Sequence, residues 1–233
     1  YAYCEQLDRQ IGRVLDALAA TSQQDRTLIL FTSDHGDLVG AHRMYGKGWM
    51  PYEEDYRIPL VAAWPGHIAA GSTCDRLVQL HDVAHTLTEI AGAPPLPFAD
   101  GRSLTPLFAR PDRMDWDDAI LCAYYGGDYL LIQRMLITPR YKYVHNGFDI
   151  DMLFDLKEDP GELRNLIRDP VHGALRDQLR SQLLDLMTRH GDPYAGGAKY
   201  SLARVGHHHH TVCVRCGKVG DFRDATIERL LRA

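Results

Sequence analysis

A chain of 233 residues with 45% apolar residues, 9% aromatic residues and a net charge of −5 has the composition of a globular protein, one larger domain or two small ones. The mild acidity gives no reason to expect nucleic acid as a partner of the main body, and no apolar run approaches the roughly 20 residues of a membrane-spanning helix. No signal-peptide pattern precedes the first element and the chain opens on Tyr1, so a processed or partial polypeptide is expected and its location stays open.

In chain order, Tyr3, Leu7, Ile11, Val14, Leu15 and Leu18 recur at three- and four-residue steps and predict a helix with one apolar face. Leu28 to Thr32 then reads as a strand, and Ile58 to Trp64 as a second buried one. A helix feeding a buried strand points to an αβ unit of a mainly parallel sheet. A further helix is expected over His81 to Ala91, stopped by Pro94-Pro95-Leu96-Pro97. From Ala119 onward four short β-like runs, Ile120 to Tyr125, Leu130 to Thr138, Tyr141 to His145 and Met152 to Leu156, follow one another without helices and predict a small antiparallel sheet. Leu175, Leu179, Leu183, Leu184 and Met187 mark a C-terminal helix closed near Gly191. The predicted units are therefore 1–115, an α/β core; 116–195, an antiparallel subdomain; and 196–233, a compositionally distinct tail.

The chemistry concentrates between Thr27 and Leu60. Ser33-Asp34-His35-Gly36-Asp37 stands where the first strand gives out, the edge at which open α/β sheets place ligands. Lys47 follows in a glycine-flanked loop. A carboxylate and an imidazole can hold a divalent ion, and a nearby cation can offset charge on an oxyanion, so a hydrolase of anionic esters is the first expectation. Asp37 reads equally well as the cap of the next turn, and Glu53, Glu54 and Arg57 as an ion pair or backbone brace. His81 and His85, one helical turn apart, read as ordinary packing.

Thr32-Ser33-Asp34-His35-Gly36-Asp37-Leu38-Val39-Gly40-Ala41-His42, then Lys47, then Tyr52 to Leu60, and finally Asp155 to Leu166, resemble in order the motifs of the sulfatase family. That family belongs to the alkaline phosphatase superfamily and includes phosphonate monoester hydrolases. The resemblance implies the C-terminal part of an alkaline-phosphatase-like sandwich, a mainly parallel sheet flanked by helices, with the antiparallel subdomain and helix appended. It makes Asp34 and His35 ligands of one divalent metal, calcium or manganese. His35, where many sulfatases carry an amide oxygen, favours a metal tolerant of nitrogen. Lys47 becomes the cation on the sulfate or phosphate oxygens, and His42 a second candidate catalytic group. The implied substrate is a small sulfate, phosphonate or phosphate ester.

Sulfatases carry a cysteine in Cys-x-Pro/Ala-x-Arg that becomes the formylglycine nucleophile. Cys4, Cys74 and Cys122 are followed by Glu-Gln-Leu, Asp-Arg-Leu and Ala-Tyr-Tyr, and none matches. The family's remaining metal ligands belong to a part that would precede Tyr1, so the chain is expected to hold half an active site and to be inactive alone. A duller alternative keeps the fold as a binding or structural piece.

The tail has its own resemblance. His207 to His210, then Cys213-Val214-Arg215-Cys216-Gly217-Lys218, are similar to the dimerisation domain of ferric uptake regulators. By that likeness Cys213 and Cys216 are structural zinc ligands, and His208 and His210 contribute to a regulatory metal site. The second cysteine pair and the DNA-binding winged helix of such regulators are absent from these residues, so a metal-sensing transcription-factor fragment is the alternative function for the tail only. The two resemblances predict a junction of unrelated pieces near Ala198 and a tail poorly packed on the body.

Overall fold

The computed structural model describes residues 2–48, 50–97, 100–116, 118–125, 132–147, 149–195, 209–212 and 219–222. Two compact units, Tyr1–Leu183 and Leu184–Ala233, divide the chain. In the first, helix α1 (Ala2–Ala20) leads into strand β1 (Ile29–Thr32), and a short helix α2 (Glu53–Tyr56) precedes β2 (Leu60–Ala63). Helices α3 (Leu80–Ile90) and α4 (Thr105–Ala109) follow, then strands β3 (Ile120–Tyr124), β4 (Gln133–Ile137), β5 (Tyr141–Asn146) and β6 (Met152–Asp155). Helix α5 (Gly173–Arg189) runs from the first unit into the second. In the second unit Gly191, at φ +63°, supplies the left-handed residue that closes α5. The tail contributes the antiparallel pair β7 (His209–Val212) and β8 (Val219–Phe222). No helix among the described residues is long and apolar enough to cross a membrane.

The α/β class matches the sequence reading, but the direction of one pair does not. β1 and β2 lie antiparallel, with Phe31 opposite Val61, where a mainly parallel sheet is expected. Apolar periodicity carries no information about strand direction, and mixed sheets accommodate an antiparallel pair readily. Nor are these strands buried: Phe31 is 42% and Val61 59% exposed.

The predicted small sheet forms in the order β3-β4-β5-β6, antiparallel throughout. Every residue of β4 is buried, polar and apolar alike, because both faces of the sheet are covered. On one face Gln133 sits opposite Asn146 and its Nε2 donates to the Asn146 side-chain oxygen at 2.7 Å, while Gln133 Oε1 is buried without a hydrogen-bond partner among the described residues. Lys142 and Phe154 are register partners on this same face. The other face carries Leu136, Tyr143 and Leu153, all at 1% exposure or less. A second cluster, Leu104, Leu107 and Trp116, packs with Leu60, Val78, Val83 and Phe108 under α3 and α4. The helix α3 starts on a reciprocal cap: Gln79 and Asp82 exchange side-chain and backbone hydrogen bonds.

Candidate functional site

The backbone leaves β1 at Thr32 and turns at once. Ser33 Oγ donates to the carbonyl of His35 at 2.8 Å, and the His35 amide donates to Asp34 Oδ1 at 3.0 Å. The loop beyond is anchored by Leu38, 2% exposed, whose amide donates to the carbonyl of Gly46. Gly36 is required by a close approach: a Cβ there would lie 1.7 Å from the Glu54 carbonyl oxygen, so α2 and the loop can touch only through glycine. The Gly36 amide donates to the carbonyl of Asp55 at 2.9 Å, and the Gly48 amide donates to Asp55 Oδ2 at 3.0 Å. Asp55, itself buried, thus ties both ends of the loop to α2.

Three of the four candidate residues of this region converge. Asp34 Oδ2 lies 3.4 Å from His35 Nε2, and Lys47 Nζ hydrogen-bonds the same imidazole nitrogen. His35 Nδ1 is 2.7 Å from the carbonyl oxygen of Gly36, which can only accept, so Nδ1 is the donor of that bond and Nε2 is the ring nitrogen turned to Lys47 and Asp34. The Asp34 carboxyl is held below the usual carboxylate range, first by its own backbone amide, with His35 and Lys47 adding to the effect. A carboxylate and an imidazole nitrogen 3.4 Å apart are donor types suited to a divalent ion. Among the described residues no group of three or more histidine, cysteine or acidic side chains could hold a metal, so these two furnish only part of a coordination shell.

His42 is placed differently. Its ring stacks on Tyr52 with centroids 3.6 Å apart, and its Nε2 lies 3.6 Å from Glu54 Oε2. Asp37 accepts from the Val39 amide at 2.9 Å, the turn-capping role expected of it. His81 is exposed, with its Nε2 3.9 Å from Asp82. The Cys122 thiol is pushed up to about 11 by burial, which favours its protonated form near neutrality. Cys213, Cys216 and His208 lie outside the described residues; His210 falls in β7, whose backbone alone is described.

Sequence reasoning missed Asp55, Lys142 and Glu162, and read Glu53 as an ion pair or brace without its distant partners. Glu53 does brace the loop, but through Lys142, 2.7 Å away, and through its amide, which donates to Glu162.

Residues 40–189 match the family described as N-sulphoglucosamine sulphohydrolase, C-terminal. The chain belongs to the sulfatase family. Lys47 falls inside the matched segment and Asp34 and His35 just before it. A delta 4,5-hexuronate-2-O-sulfatase of Bacteroides thetaiotaomicron is 31% identical over 201 residues, covering 82% of this sulfatase-family chain and 41% of the relative. A choline-sulfatase of Rhizobium meliloti is 33% identical over 195 residues, covering 82% and 37% respectively. Among solved structures, phosphonate monoester hydrolase of Agrobacterium radiobacter superposes with a TM-score of 0.73 at 28% identity, covering 94% of this chain and 44% of its own. An enzyme solved in complex with its substrate D-glucosamine-2-N,6-O-disulfate gives a TM-score of 0.76 at 29% identity, covering 82% and 40%. The sulfatase-family chain thus spans about two fifths of the length of the relatives it matches. Residues 182–233 separately match the ferric uptake regulator family, overlapping the sulfatase match at the end of α5.

Proposed function

We propose that this chain is the C-terminal portion of a metal-dependent hydrolase of sulfuric esters, with phosphonate and phosphate esters as the neighbouring substrate classes. The observation that carries the reading is the convergence of Asp34, His35 and Lys47 where β1 ends. Asp34 and His35 would hold a divalent ion, manganese by preference for a mixed oxygen and nitrogen pair, or calcium. Such an ion, when bound, supplies Lewis-acid polarisation of the ester oxygens. The chain's own groups do the rest. An aspartate carboxyl is ionised at neutral pH, and that of Asp34 is held lower still. The Gly36 carbonyl keeps the proton of His35 on Nδ1 and leaves Nε2 free to ligate. Lys47 would place its ammonium against the non-bridging oxygens of an anionic ester. His42, stacked on Tyr52 with its Nε2 3.6 Å from Glu54, is the second candidate catalytic group.

The substrate class follows from that charge arrangement and is supported by relatives named as sulfatases of sugars and of choline. These 233 residues contain no Cys-x-Pro/Ala-x-Arg, so the nucleophile is not among them and the chain alone has no turnover. The test is incubation with Mn2+ and an aryl sulfate or phenyl phosphonate monoester, alongside calorimetric titration of Mn2+. The expected outcome is no hydrolysis, with an Mn2+ binding event that Asp34→Ala removes. Substantial metal-dependent hydrolysis, or binding indifferent to Asp34, would overturn the reading.

A second reading applies to the tail alone. The match to ferric uptake regulators and the β7–β8 hairpin, whose connection holds Cys213 and Cys216, favour a zinc site there, with His208 and His210 as further candidates. Zinc analysis of the purified chain against Cys213→Ser tests it.

A further inference from the structure

A fully buried lysine joins the antiparallel sheet to the candidate site. Lys142, on β5 of the buried antiparallel sheet, is 0% exposed. Its Nζ lies 2.7 Å from Glu53 Oε1, 2.9 Å from Glu162 Oε1, and donates to the Pro51 carbonyl at 3.0 Å. Glu162 reaches the same place from the turn after β6, with its backbone at φ +50°, and its other oxygen accepts from the Glu53 amide at 2.6 Å. Glu162 is 3% exposed, and burial pushes its carboxyl up while Lys142 opposes the shift. One cation, two carboxylates and a left-handed non-glycine residue are costly features to retain in a core, where apolar residues would pack at no such cost.

Besides the Lys142–Glu162 pair itself, the bonds named for this cluster converge on one short segment, 51–55. Pro51 and Glu53 are held by Lys142 and Glu162; Tyr52 stacks on His42 and meets Phe154 with centroids 6.1 Å apart. Glu54 supplies the carbonyl that excludes a side chain from position 36, and Asp55 receives the amides of Gly36 and Gly48. These two glycines adjoin His35 and Lys47 directly. We propose that Lys142, Glu53 and Glu162 are positioning residues that fix the His35–Lys47 geometry from the far side of segment 51–55. For its functional meaning this rests on the reading of Asp34, His35 and Lys47 as a metal and oxyanion site. The clamp spans 91 residues from Lys142 to Pro51 and 109 from Glu162 to Glu53, so the C-terminal sheet is wired into the site.

The experiment uses the 233-residue chain and two readouts, amide hydrogen exchange resolved by NMR and the affinity for Mn2+. Lys142→Met is expected to speed exchange at Gly36, Gly48 and Glu53 about tenfold or more relative to Thr86 and Cys122, since local opening is governed by local bonds. Mn2+ affinity is expected to fall by about threefold or more, in the direction seen when supporting groups behind metal ligands are removed. If Lys142→Met does not fold, Glu53→Gln, which alters the more exposed carboxylate, reads the same pattern at smaller amplitude. Uniform acceleration of all amides, no change at the three, or local acceleration with unchanged Mn2+ affinity each overturns the positioning role. Absence of Mn2+ binding in the wild-type chain defeats the metal reading instead, and the exchange pattern then decides the clamp alone.

Discussion

The β3–β6 sheet and the elements α1, β1 and β2 all carry apolar patterns, yet they end in opposite environments. In the sheet, Met135, Leu136, Tyr143, Val144 and Leu153 are at 1% exposure or less. In α1 no residue is buried, and Tyr3 and Val14 are 92% and 68% exposed on the very face that periodicity marks as apolar. The cross-strand pair Phe31 and Val61 is exposed in the same way. Amphipathic spacing identifies which face demands cover; it does not say that the cover lies within the same 233 residues. The candidate site stands at the seam between these regions, at the end of an open strand but tied through segment 51–55 to the closed sheet.

The contrast can be broken or sharpened by mutation. Leu153→Ala removes a fully buried side chain and is expected to cost about 2–5 kcal/mol in denaturant unfolding. Leu7→Ala, on the open face of α1, is expected to stay within about 0.5 kcal/mol. Comparable losses at both positions would mean that α1 is covered after all. A smaller effect concerns pH at the edge of the sheet. The Arg140 guanidinium holds the Asp155 carboxyl below its usual range, helped by the amides of Lys157 and Glu158. A carboxyl depressed in the folded state stabilises above its unfolded pKa, and that stability is lost as pH falls through the folded value. Asp155→Asn is therefore expected to cost about 1 kcal/mol near neutrality and to flatten the acid limb of the stability curve below about pH 4. An unchanged acid limb would remove Asp155 from that role.

Most elements could be read from residues because their signals are local. The apolar steps of α1, the leucines of α5 and the β-rich runs from Ile120 onward each fix a period that only one backbone geometry satisfies. Asp34, His35 and Lys47 were legible because a strand end followed by ligand-type residues is also a local pattern. Strand direction between β1 and β2 was not, since apolar spacing is the same for parallel and antiparallel pairs and only the fold sets Phe31 opposite Val61. Lys142 and Glu162 were the least legible. In sequence each is a charged residue in a strand or turn with a solvated face as its ordinary fate, and only the fold brings them within 2.9 Å. The one hint was Glu53, a brace whose partner lay about ninety residues further on.

The central claim, that His35 and Asp34 are metal ligands, is tested most directly by Mn2+ titration followed on the imidazole resonances. The chain has twelve histidines, and a Cys213→Ser/Cys216→Ser background keeps the tail thiolates out of the measurement. The expected result is that the His35 signals broaden at the lowest Mn2+ concentrations and that Asp34→Ala restores them. Sharp His35 signals while other histidines broaden would contradict it.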